Sequence, residues 1–220
     1  IISGATTTNL TFTGITKAQI GDYRLVATNA AGFGISSVGS VNVISALQDV
    51  TRPGDAITRI NGTPGGGGTE GEANAINNDT SKYLNFDDLD TAAPFVGPVG
   101  FVVSPSLGQT VPSGVPTIVQ GVRIFTANDG EERDPIDVTI EGADDYSSWV
   151  LISSNSLALP AARNAGALAL NPLTQASAEV LFVNTTNYLN YRVTFNNVKN
   201  NTTANSMQVG EIELLGTFAL

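Results

Sequence analysis

No histidine and no cysteine occur among the 220 residues. The usual general base, the usual zinc ligand and any thiolate nucleophile are therefore missing. A serine or threonine nucleophile would have no imidazole beside it, and the lysines that could replace one, Lys17, Lys82 and Lys199, stand in no recognisable motif. Carboxylates are scattered through loop-like segments, with no evident pairing of the kind that hydrolyses glycosides. The chemistry that remains is recognition. Asn128, Asp129, Arg133 and Asp134 lie close together in sequence and offer hydrogen bonds of the kind sugar hydroxyls take. Tyr83, Tyr146 and Tyr188 flank loops and can stack on a ligand, each with an apolar face and a polar tip.

Charge narrows the partners. Ten Lys and Arg against twenty Asp and Glu give a net charge of -10 and a pI near 4.2, so nucleic-acid phosphates and anionic lipid are repelled. Negative charge keeps a protein soluble and also attracts divalent cations. Without disulfides, stability must come from core packing or from a metal, a composition that leans toward a bacterial surface protein. No apolar run approaches the roughly 18 residues of a membrane span. The chain opens with Ile1-Ile2-Ser3-Gly4 instead of a basic and then apolar leader, so it reads as a piece of a longer exported protein.

The elements that must position these residues are strands. In residues 1–45, apolar and polar positions alternate at Leu10-Thr11-Phe12, over 23–27 and over 40–44, with a turn signal at Asn29-Ala30-Ala31-Gly32. A junction over 47–54 opens a second unit, 46–220. There the glycine run over 62–68 reads as a flexible loop. Further strands are expected over 121–127, 136–142, 149–153, 178–183, 191–196 and 208–215. Many short strands without a helical period point to an all-β sandwich or jelly-roll.

Two resemblances rest on particular residues. Leu10, Phe12, Gly21, Tyr23, Ala27, Asn29 and Gly32 match the pattern of strands E to G of an immunoglobulin-like domain. Gln19 stands where that pattern has Asp and Leu25 where it has Cys, so the inter-sheet disulfide is excluded, while Tyr23 would bond upstream backbone as a tyrosine corner. Four later segments, in order, resemble the galactose-binding-like family that includes discoidin domains and many bacterial carbohydrate-binding modules. These are 75–86; Thr126-Ala127-Asn128-Asp129 with Arg133-Asp134-Pro135; 140–145 with Trp149; and 191–195 leading to 207–214. The resemblance implies a calcium-stabilised jelly-roll.

In that family the first segment wraps a structural Ca²⁺ that a late glutamate completes. Carried over, the ligands are Asn77, Asp79, Ser81 and Glu211, with Asn77 in place of the usual Asp and Asn78 in place of Gly. Calcium takes six to eight hard oxygens, which a turn can supply. The resemblance also implies that Arg133 and Asp134 serve the structure, by a bidentate ion pair and a fixed strand entry, and that Trp149 is a core residue.

The implied function is a non-catalytic extracellular module that binds a saccharide or surface polymer. Tyr83, Asn128, Arg133, Tyr146 and Tyr188 are the candidate ligand residues. The alternative is a structural or adhesive subunit of a surface array or filament. Since strands A to D of the first unit have no counterpart, its apolar face is expected to be covered by the missing half of its domain or by a neighbouring copy.

Overall fold

A computed structural model describes residues 19, 21–41, 47–87, 92–106 and 114–219. Chain contacts divide it into two units, Ile1–Ser45 and Ala46–Leu220.

In the first unit β1 (Gly21–Tyr23) pairs antiparallel with β4 (Gly39–Val41), and β2 (Val26–Asn29) with β3 (Gly32–Ile35). The hairpin turns where the Asn29 side chain accepts the Ala31 N–H at 2.8 Å and Gly32 takes φ +144°. Only glycine adopts that angle without strain. The Tyr23 hydroxyl donates to the Gln19 carbonyl at 2.7 Å, the upstream bond a tyrosine corner requires. Pairing of Val26 with Ile35 and of Thr28 with Phe33 places Val26, Phe33 and Ile35 on one face, where all three are exposed, Phe33 by 72%. The strands expected at Leu10 and Phe12, and beyond Val41 toward Val43, lie outside the described residues.

The second unit is a sandwich of antiparallel sheets. Its strands are β5 (Gln48–Asp49), β6 (Ala56–Ile60), β7 (Thr63–Pro64), β8 (Tyr83–Phe86), β9 (Val99–Ser104), β10 (Thr117–Phe125), β11 (Asp137–Ala143), β12 (Val150–Ser156), β13 (Ser177–Leu181), β14 (Asn190–Phe195), β15 (Ser206–Val209) and β16 (Glu211–Phe218). A four-stranded sheet runs β13-β10-β16-β5, a five-stranded sheet β12-β11-β14-β9-β6, and a small third sheet β15-β8-β7. Alternation decides which side chains enter the core. Val122, Ile124, Ile212 and Leu214 of the first sheet are fully buried, as are Phe101, Ile140, Val193 and Phe195 of the second. Each stabilises the fold by about 1.5–3 kcal/mol relative to exposure.

Two expectations need correction. The single strand expected over 208–215 is two, because β15 pairs with β8 in the small sheet while β16 pairs with β10. The break falls at Gly210, where a Cβ would come within 2.6 Å of the Thr126 carbonyl oxygen. The glycine run is also more ordered than expected, with β7 and a 3-10 turn over Gly66–Gly68.

The sandwich has two well-separated ends. β11 is seven residues long, about 23 Å at roughly 3.3 Å per residue. Loops that precede it and loops that come after it therefore belong to separate surfaces.

Candidate functional site

The end that precedes β11 is built by four segments: 65–70, 77–82, 126–134 and 160–169. Glu211 opens β16 there and is fully buried. Its carboxylate accepts the N–H groups of Asn77 and Asn78, each at 3.1 Å, which ties the Asx-rich loop to the last strand across 134 residues of sequence. Burial first, and then the nearby charge of Asp49, push its pKa up to about 9 despite those two hydrogen bonds. Within the loop, Asn77 Oδ1 accepts the Asp79 N–H at 3.0 Å and Asp79 Oδ1 accepts the Ser81 N–H at 2.6 Å. Thr80, wholly buried, accepts the Leu168 N–H at 3.1 Å and donates to the Ala165 carbonyl. The loop is thus fastened on both sides.

A groove opens beside it. Thr69, Glu70, Asn74, Ser81, Lys82, Asn128, Gly166 and Ala167 line a cavity of about 320 Å³. Lys82 Nζ lies 3.1 Å from Glu70 and 3.2 Å from Asp129, so one ammonium is shared by two carboxylates. Asn74 donates to the Thr69 and Lys82 carbonyls, each at 2.9 Å. Asn128 is exposed on the wall. Behind it, Gln208 is buried and donates to the backbone carbonyls of Asp129 and Gly130.

A larger cavity of about 710 Å³ lies against Asp49, Thr51, Arg52, Asn78 and Glu213. Its carboxylates are already engaged: Asp49 accepts the Thr51 N–H and hydroxyl at 2.9 and 2.6 Å, and Glu213 pairs with Arg123. Burial pushes Asp49 up to about 7. The smaller groove, where the exposed Asn128 amide and the ion-paired Lys82 ammonium come from separate loops, is the better candidate for a neutral polar ligand.

Asp134 is fully buried and supports this end. Arg163 donates to both of its oxygens, at 2.7 and 2.6 Å, and Lys199 lies 3.1 Å away. The bidentate arginine is thus Arg163, whereas Arg133 lies 3.7 Å from Glu132.

The five candidate ligand residues are not brought together. Asn128 and Arg133 precede β11. Tyr146 comes after it, and Tyr188 precedes β14, whose Asn190 pairs with Ala143 at that far end. Tyr83 is a correction, for it is fully buried, packed edge-on against Phe101 at 6.1 Å and donating to the Gly100 carbonyl at 3.1 Å. It is a core residue and presents no face to a ligand. Trp149 is a partial correction: partly exposed, it lies beneath the Arg192 guanidinium at 4.8 Å instead of inside the sandwich. Lys82, Glu70 and Asn74 are not among the residues expected from sequence. The one available signal is the lysine closing an Asx-rich turn. Among the described residues, no group of three or more Asp or Glu side chains could hold a metal ion.

No protein-family model and no curated protein matches the chain. Solved structures do resemble it. One is CBM32-3 from a family 31 glycoside hydrolase of Clostridium perfringens, with 16% identity over 74% of this chain and 90% of that one, TM-score 0.53. Another is the C-terminal domain of a chitobiase from Bacteroides fragilis, with 10% identity over 79% of this chain and all of the other, TM-score 0.52. At such identity the likeness speaks for architecture. Together with the antiparallel sheets described above, it shows that the larger unit has the β-sandwich fold of those domains, the jelly-roll expected from the sequence.

Proposed function

We propose that the chain is a non-catalytic, extracellular saccharide-binding module and that its ligand occupies the groove between Lys82 and Asn128. One observation carries this reading: a groove of about 320 Å³ collects an amide, a hydroxyl and an ion-paired ammonium from separate loops. Such groups hydrogen-bond hydroxyls without the burden of an unneutralised charge. The likeness to a CBM32 structure supports it. Screening the chain against a glycan array should yield saccharide ligands. Asn128→Ala should then weaken the best of them by about tenfold, about 1.4 kcal/mol, with an unchanged melting temperature. A screen without a single binder contradicts the proposal.

Calcium belongs to the same proposal. Among the described residues the buried Glu211 carboxylate has two backbone N–H groups as partners and no cationic side chain, and a hard cation would offset its charge. Glu211 and Asp79, with oxygens of Asn77 and Ser81, would hold the ion. Oxygen donors of these types suit calcium. The ion would neutralise the carboxylates and lock the loop that forms one wall of the groove.

A second reading, that of a structural or adhesive subunit, is favoured by the first unit. We read that unit as the C-terminal half of an immunoglobulin-like domain, which the Tyr23–Gln19 hydrogen bond supports. Its exposed Val26, Phe33 and Ile35 suit burial against another polypeptide, either the rest of such a domain or a neighbouring copy. Ordered oligomers from a chain that binds no glycan would favour this reading over the first.

A further inference from the structure

The outer face of the five-stranded sheet carries recognition groups that the groove does not use. Ile140, Val193 and Phe101 point into the core, so their neighbours Glu141, Arg192 and Val102, paired in one row across β11, β14 and β9, stand on the other side. Arg192 grips Glu141 with two parallel bonds, Nε to Oε2 at 2.5 Å and Nη2 to Oε1 at 2.7 Å. The guanidinium, held flat by this fork, lies 4.8 Å from the centre of the Trp149 ring. The result is a surface patch whose ion pair is neutral, part aromatic and part hydrogen-bonding.

Tyr146 extends it. Its backbone is left-handed, at φ +58°, which is costly for a bulky residue, and its side chain is 54% exposed. Its hydroxyl is bonded at 2.7 Å to Ser104 Oγ, which donates at 2.7 Å to Asn190 Oδ1. Ser104 and Asn190 are themselves buried. Ser104 stands two residues along β9 from Val102, so the anchor sits on the same outer face as the row containing Arg192. A ring fixed by a strained backbone and a buried anchor, yet open to water, contributes little to the core. It does spare a ligand the loss of rotamer freedom that stacking on a mobile tyrosine would require.

We propose that this face, centred on Trp149 and Tyr146, binds an uncharged polysaccharide chain. Sugar rings stack their apolar C–H faces on the two aromatic rings, and their hydroxyls donate to the Glu141 carboxylate and accept from the Arg192 guanidinium. A neutral chain fits because the pair is neutral and the protein carries a net charge of -10, so an acidic chain is repelled. The surface is separate from the groove, since Asn128 precedes β11 and Tyr146 comes after it.

Trp149 is the only tryptophan, so its fluorescence reports on this face alone. The chain is titrated with soluble galactomannan, hydroxyethylcellulose and polygalacturonate while emission is recorded and retardation in polysaccharide-containing native gels is measured. At least one neutral polymer should shift Trp149 emission saturably. Tyr146→Ala should weaken that response about tenfold, with a melting temperature near that of the parent chain. Asn128→Ala, which removes a groove contact, should leave it in place, and polygalacturonate should give none. Three results would each overturn the proposal: silent emission with every neutral polymer, a response lost in Asn128→Ala but kept in Tyr146→Ala, or an emission change that tracks protein concentration without polymer. Because the groove is tested through Asn128 and glycan screening, failure here leaves that reading standing, and the converse also holds.

Discussion

At the scale of single residues, Asp134 shows how a buried charge is tolerated. Its carboxylate is removed from water but faces a bidentate guanidinium and an ammonium, so the desolvation cost is met by close partners. Asp134→Ala should therefore destabilise the chain by about 3–5 kcal/mol, read as a fall in the denaturant midpoint, because Arg163 and Lys199 lose their common anchor. A change near zero would mean that the network is ornamental. The sequence marks Asp134 as structural through its resemblance but cannot name the partner. Arg163 lies 29 positions downstream, and no spacing rule relates two loops that meet only after the sheets have formed. Tyr83 misleads for a similar reason. A tyrosine beside an Asx-rich turn reads as a loop aromatic, yet it opens β8, and packing against Phe101 draws the ring into the core.

At the scale of elements, the sandwich is legible where apolar and polar residues alternate along a strand. β10, β11 and β14 alternate apolar and polar residues and lie within a few positions of where the alternation predicts them. β6 and β9 are not among the strands expected from sequence. In β9, Val-Gly-Phe-Val-Val-Ser is close to a continuous apolar run, which carries no period. The loop over 77–82 is legible as an Asx-rich turn, and its attachment to Glu211 is seen in the two N–H bonds to the carboxylate. If calcium completes that attachment, excess chelator should lower the melting temperature, and at calcium concentrations near 100 times its dissociation constant the stabilisation is about 2.7 kcal/mol. Glu211→Ala should remove the calcium dependence. An identical midpoint in calcium and in chelator would show that the two backbone N–H groups alone hold Glu211.

At the scale of the whole molecule, the chain combines a jelly-roll with a smaller β unit whose hairpin exposes an apolar face. The architecture of the larger unit is readable because four motifs stand in the right order, and order over three quarters of a chain is hard to reach by chance. The site is less readable. Residues chosen for their chemistry fall at opposite ends of β11, since residue type reports what a side chain can do and only the topology decides which side chains meet. If a saccharide occupies the groove beside Lys82, backbone amide shifts of the isotope-labelled full chain, titrated with a disaccharide selected by glycan screening, report it most directly. Saturable shifts should centre on Ser81, Lys82, Asn128, Gly166 and Ala167, and in Asn128→Ala the same amides should need about ten times the ligand concentration to reach half their shift. Shifts that leave those five amides unmoved while another surface responds would contradict saccharide binding in the groove.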